Sequence, residues 1–175
     1  SNVIAAKLLD FTPSGTMAHS YIEVHETEIN AFENFIDHYG ESAILLIDTY
    51  DPIEGIKKTA GIARRYYEQK GLKIKGIRID SGDFVELSKF AREHFKETGV
   101  GFLKIFISSG LDEFRIAQLI DDGAEADGFG VGTRYAVSHN APDLDIVYKI
   151  TEYAGKGLYK TSPDKHTTPG RKTIL

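Results

Sequence analysis

Three aspartates, Asp48, Asp80 and Asp112, recur at an interval of 32 residues and close the stretches Leu45–Asp48, Ile77–Asp80 and Ile107–Asp112. Each follows an apolar, β-branched run, so the spacing predicts carboxylates at successive strand ends, gathered on one rim. Two or three such groups could hydrogen-bond sugar hydroxyls or hold Mg²⁺ through water. Arg78 precedes Asp80 by two residues, and strand alternation points both side chains the same way. A guanidinium inside a buried strand needs an anionic partner. That partner is either Asp80 or a neighbouring strand's carboxylate, in a structural ion pair, or the carboxylate or phosphate of a substrate gripped by the guanidinium fork.

Two glycine-bearing loops follow the next strands: Ser109-Gly110 and Gly130-Val131-Gly132-Thr133. Glycines there allow tight turns, or let backbone N–H groups approach a phosphate. Neither loop has the dinucleotide fingerprint, and no P-loop sequence is present. The second aspartates of the two Asp-x-x-Asp stretches, Asp51 and Asp83, read as helix N-caps. None of the six histidines has metal-ligand spacing. His25, His38 and His94 read as solvated helix positions and His139 and His166 as loop residues, while His19 sits on a short helix after Gly15-Thr16.

An interval near 30 residues is the length of one strand–helix crossover unit, and α/β folds place their chemistry at strand carboxyl ends. Residues 1–40 are expected to form a polar loop and two helices, Met17–Val24 and about Thr27–Tyr39, the second with Ile29, Phe32, Ile36 and Tyr39 inward. Residues 41–135 hold the repeated units: strands Ala43–Ile47, Ile74–Ile79, Leu103–Ile107 and Gly128–Val131, with helices from Asp51 to Lys70, Asp83 to Glu97 and Asp112 to Asp121. Residues 136–175 carry an alternating stretch, Asp145–Ile150, and a hairpin around Tyr153–Tyr159. Four units are too few for a closed eight-stranded barrel. The expected fold is therefore α/β: a partial or irregular TIM-like barrel forming a single partial domain, either a piece of a larger protein or an unusually minimal one.

Composition limits the function classes. The chain has 175 residues, 41% apolar and 27% charged, as in an ordinary globular domain. A net charge of −5 gives no general reason to bind nucleic acid or anionic membranes. The absence of cysteine excludes disulfides and thiolate metal sites and suits a reducing cytoplasm.

Gly15-Thr16-Met17-Ala18-His19-Ser20, Gly76–Asp83, Ser108–Glu113 and Gly128–Thr133, in this order, resemble nicotinate phosphoribosyltransferase, a type II phosphoribosyltransferase. The tail from Lys160-Thr161-Ser162-Pro163 to Thr168-Pro169-Gly170-Arg171-Lys172 resembles the segment after that family's barrel. The resemblance implies condensation of nicotinate with 5-phosphoribosyl-1-diphosphate (PRPP) to nicotinate mononucleotide, with ATP as co-substrate and Mg²⁺, in NAD salvage. It implies that His19 is phosphorylated by ATP, and that Thr16 and Arg78 contact nicotinate. Asp48, Asp80 and Asp112 would face the ribose and diphosphate, and Ser109, Gly110, Gly132 and Thr133 would hold the 5-phosphate. It further implies a homodimer or higher homo-oligomer sharing its active sites. The family's N-terminal domain and C-terminal extension have no counterpart here, so this piece alone is expected to turn over little. Nicotinamide or quinolinate phosphoribosyltransferase, or a non-catalytic phosphate-binding half-barrel, are the alternative readings.

Overall fold

The computed structural model describes residues 3–10, 15–137, 144, 146, 148–161 and 168–173. Helix α1 (Val3–Leu9) and the short α2 (His19–Glu23) precede α3 (Glu28–Tyr39). Three strand–helix units follow: β1 (Ile44–Leu46) with α4 (Pro52–Lys70), β2 (Gly76–Ile79) with α5 (Phe84–Glu97), and β3 (Lys104–Ser108) with α6 (Glu113–Asp121). After β4 (Gly128–Gly130) come one helical turn, α7 (Thr133–Ala136), and a hairpin of β5 (Glu152–Tyr153) and β6 (Lys156–Gly157).

The strands form one parallel sheet in sequential order β1-β2-β3-β4. Right-handed crossovers in sequential order carry their helices to the same face. Residues pointing there, Leu45, Ile47, Ile77, Ile79, Ile105 and Ile107, are fully buried, and α4 lies so close that a Cβ on Gly55 would sit 2.1 Å from the Ile47 carbonyl oxygen. The opposite face carries Leu46, Arg78 and Phe106 in one lateral row, where burial falls from complete at Leu46 to partial at Arg78 and Phe106. One apolar cluster spans α2–α5 and β1–β3, and a smaller one around Ile107, Leu111 and Leu119 supports the β3–β4 side.

Local sequence sets the helix starts. Asp51, Asp83 and Asp112 each accept backbone N–H groups at the N-termini of α4, α5 and α6, a cap whose loss costs about 1 kcal/mol. Pro52 occupies the first turn of α4 and Gly71 ends it in the left-handed conformation. Ala154 (φ 49°) and Gly155 (φ 75°) give the hairpin its turn, since both central residues of a type I′ turn need positive φ.

Several boundaries differ from the sequence reading. Helix α2 starts at His19 rather than Met17. In α3 the inward stripe is Glu28, Ala31, Phe32, Phe35 and Ile36. Ile29, 40% exposed, lies about a quarter turn off that stripe, and Tyr39, 52% exposed, lies past the core end and packs on Phe35. Of the alternating stretch 145–150, the described residues Ile146, Tyr148, Lys149 and Ile150 are not in a strand, and the others lie outside the described residues. So do His139, His166 and positions 12–14 and 162–167.

Candidate active site

Register decides which strand-end residues meet. Leu46 pairs with Arg78, and Arg78 with Phe106; two residues further along, Asp48, Asp80 and Ser108 form the next lateral row. Ser108 pairs in turn with Gly130. The Ser108 hydroxyl donates to Asp80 Oδ1 at 2.6 Å. Asp112 is not in this row. It lies four residues past Ser108, at the N-cap of α6, where its carboxylate accepts the Arg115 N–H at 2.8 Å. The constant interval thus matches two aspartates just past strand ends to one helix cap, because it counts residues and not sheet register.

Asp48 also departs from expectation. Its side chain is completely buried and accepts the Ser81 hydroxyl, so it orients the β2–α5 loop and does not face an open rim. Among the described residues its Oδ1 is buried with no hydrogen-bond partner, as is Nε of Arg78. A negative field surrounds it: burial raises the Glu28 carboxyl above its usual range, and Asp48 and Asp51 add to that against the opposing pull of Lys58.

Around Asp80 three groups of different chemistry converge. Arg78 Nη2 lies 4.0 Å from Asp80 Oδ1, so the same-side projection expected from strand alternation holds. The imidazole of His19 places Nε2 at 3.7 Å from Asp80 Oδ2. Its other nitrogen, Nδ1, is 3.0 Å from Oγ1 of the fully buried Thr49. Lys160, 3% exposed, puts its ammonium 2.9 Å from His19 Nε2. An ammonium only donates, so Nε2 is the acceptor and Nδ1–H donates to Thr49. Glu23, one turn beyond His19 on α2, has its carboxyl raised by burial, while His19, Lys149 and Lys160 pull the other way.

The glycine loops divide into two kinds. A Cβ on Gly128 would meet the Phe106 ring at 3.1 Å and one on Gly130 would meet Ser108 Cβ at 3.2 Å, so these glycines serve packing. At Gly110 and Gly132 a Cβ would meet nothing within 4 Å: there the backbone is bare toward open space. Ser109 (φ 90°) and Gly110 (φ 61°) are successive left-handed residues; for serine this costs on the order of 1 kcal/mol and is typical of functional loops. Gly132 leads into Thr133 at the start of α7. Thr16 lies in the loop before His19 and uses its hydroxyl on the Met17 carbonyl.

The structure therefore joins His19, Arg78 and Asp80, with Asp48 hydrogen-bonded to Ser81 in the loop after Asp80; Ser109 and Gly110 follow β3, and Gly132 and Thr133 lead into α7 after β4, at the same carboxyl edge of the parallel sheet. Sequence reading missed Ser108, Ser81, Thr49 and Lys160. Ser108 is brought to Asp80 by the β2–β3 register, which the sequence alone does not reveal. Lys160 had no local signal, being 141 residues from its partner. Among the described residues no cluster of three or more His, Cys, Asp or Glu side chains is built to hold a metal, and no helix is long and apolar enough to cross a membrane.

Comparison with known proteins points one way. The profile of the nicotinate phosphoribosyltransferase (NAPRTase) family matches residues 1–170. The nicotinate phosphoribosyltransferase pncB2 of Mycobacterium tuberculosis is 41% identical over 175 residues, covering 100% of this chain and 37% of that protein. The nicotinate phosphoribosyltransferase of Bacillus subtilis is 36% identical over 181 residues, covering 99% and 36%. The chain thus spans a little over a third of the length of these relatives. The crystal structure of nicotinate phosphoribosyltransferase from Vibrio cholerae superposes with a TM-score of 0.72 at 23% identity, over 93% of this chain and 42% of that one. For nicotinate-nucleotide pyrophosphorylase from Pyrococcus furiosus the TM-score is 0.63 at 29% identity, over 98% and 42%.

Proposed function

The chain belongs to the nicotinate phosphoribosyltransferase family, and from that premise we propose that it forms nicotinate mononucleotide and diphosphate from nicotinate and PRPP, with ATP hydrolysis, in cytoplasmic NAD salvage. The observation that carries the reading is the meeting of an imidazole, a guanidinium and a carboxylate at the carboxyl end of β2, with His19 3.7 Å and Arg78 4.0 Å from Asp80. We take the four-stranded sheet as part of the irregular α/β barrel of type II phosphoribosyltransferases, completed by further chain and working as a homodimer or higher homo-oligomer.

In this reading Arg78, with Thr16, receives the nicotinate carboxylate; its Nε, unpartnered among the described residues, is the donor such a ligand would occupy. Asp80, oriented by Ser108, faces the ribose, where departure of diphosphate builds positive charge that a nearby carboxylate stabilises. Asp48 and Ser81 hold that loop in place. Gly110 and Gly132, where a Cβ would meet nothing within 4 Å, let the backbone N–H groups of their loops approach the 5-phosphate, with Ser109 and Thr133 beside them. His19 accepts the phosphoryl group of ATP, beside the Lys160 ammonium that can balance the new charge. Mg²⁺ fits as an ion carried in on the diphosphate, which needs only one or two protein carboxylates; Asp80, partly exposed, would be one, and the ion would neutralise the leaving group.

Two measurements test the assignment. Given PRPP, ATP and Mg²⁺, the intact protein should convert nicotinate in preference to nicotinamide or quinolinate; preference for either of those would move it to a sister activity. Incubation with ATP should leave an acid-labile phosphate that His19→Ala lacks. A protein that binds PRPP but neither labels nor turns over would instead be a phosphate-binding half-barrel.

A further inference from the structure

Thr49 makes two contacts that the roles above do not use. It is completely buried in the loop between β1 and α4, three residues past the strand. Its hydroxyl oxygen lies 3.0 Å from His19 Nδ1, and its carbonyl oxygen accepts the Thr161 N–H at 3.3 Å. Thr161 follows Lys160, whose ammonium is 2.9 Å from the other ring nitrogen of His19. One buried residue in the β1–α4 loop therefore contacts the imidazole directly and also bonds the segment that brings Lys160 to it. A hydroxyl both donates and accepts, so it can hold the ring while the proton on Nδ1 comes and goes; an apolar side chain of the same shape cannot.

We propose that Thr49 is the positioning residue of His19, setting its ring orientation and tautomer and its approach by Lys160. The consequence for phosphoryl transfer rests on the reading of His19 given above, but the tautomer does not.

The test compares Thr49→Val and Thr49→Ser in the intact protein by ¹⁵N NMR of the His19 ring and by phosphate incorporation from ATP, with thermal melts to show that both variants fold. In the parent and in Thr49→Ser, Nδ1 should resonate as the protonated nitrogen and Nε2 as the lone-pair nitrogen. Thr49→Val should give a mixed or reversed pattern, and incorporation should fall about tenfold, the scale for one buried hydrogen bond, with Thr49→Ser restoring it. A Thr49→Val protein with the parent ring pattern overturns the proposal, as does Thr49→Ser losing the pattern as fully as Thr49→Val. Should Thr49→Val not fold, Thr49→Ser and Thr49→Ala carry the same comparison. If the parent takes up no phosphate, the phosphohistidine reading fails while the ring pattern still decides the role of Thr49.

Discussion

Two aspartate–arginine clusters sit at opposite ends of the same sheet, and they are built differently. At the amino end Asp127 accepts Arg92 Nη2 at 2.6 Å, the Ile105 N–H at 2.9 Å and Lys104 Nζ at 3.1 Å. Arg92 in turn caps the Leu103 and Glu125 carbonyls. At the carboxyl end Arg78 stays 4.0 Å from Asp80, and among the described residues its buried Nε and the buried Oδ1 of Asp48 have no hydrogen-bond partner. The first cluster is a closed structural clasp. The second retains unused hydrogen-bonding capacity that costs stability unless something fills it, as expected where a ligand is to complete the bonding.

The two clusters should therefore fail in different ways. The largest effect is expected from Arg78→Ala, which should weaken nicotinate binding by about 1.5–3 kcal/mol, the range for a charged hydrogen bond, while the melting curve barely moves; isothermal titration of nicotinate checks it, and unchanged affinity removes Arg78 from the site. Arg92→Ala should do the reverse, lowering stability in urea melts by about 1–2 kcal/mol after allowance for its partial exposure and leaving ligand affinity intact. Asp112→Ala should cost about 1 kcal/mol as a lost cap with PRPP affinity unaltered; a collapse of PRPP binding would return Asp112 to the rim. The smallest effect concerns pH. Burial pushes the Asp127 carboxyl up, but Arg92, the Ile105 N–H and Lys104 outweigh it and hold it below its ordinary value. A carboxyl depressed by folding stabilises the protein above its unfolded value, about 3.9, and that contribution disappears as the pH falls through the lower folded value. Asp127→Asn should flatten the loss of stability below about pH 4, measured as urea midpoints at pH 7 and pH 3.

The clasp and the candidate site differ also in how readily they can be read from the chain. Arg78 and Asp80 share one strand, so period-two alternation was enough to pair them. Asp51 and Asp83 were legible as caps because capping involves only neighbours three residues away. Asp112 was misplaced because an interval along the chain carries no information about lateral register. Asp48 was placed correctly at a strand end, yet the sequence could not reveal that Ser81 and the surrounding core would bury it.

What the sequence by itself determined is the order of the repeated strands and helices from β1 to β4, the capped starts of α4, α5 and α6, and the family, but not α1, α7 or the start of α2. The features it determined rest on local hydrogen bonds, hydrophobic period and motif, each contained within a few residues or one repeat. Only the tertiary structure decided that Thr49 and Lys160, 30 and 141 residues from His19, grip its two nitrogens, and that Ser108 rather than Asp112 stands beside Asp80. Such contacts depend on the register between strands and on the path of the chain after the sheet. Both are settled by packing of the whole domain, and no local pattern encodes them.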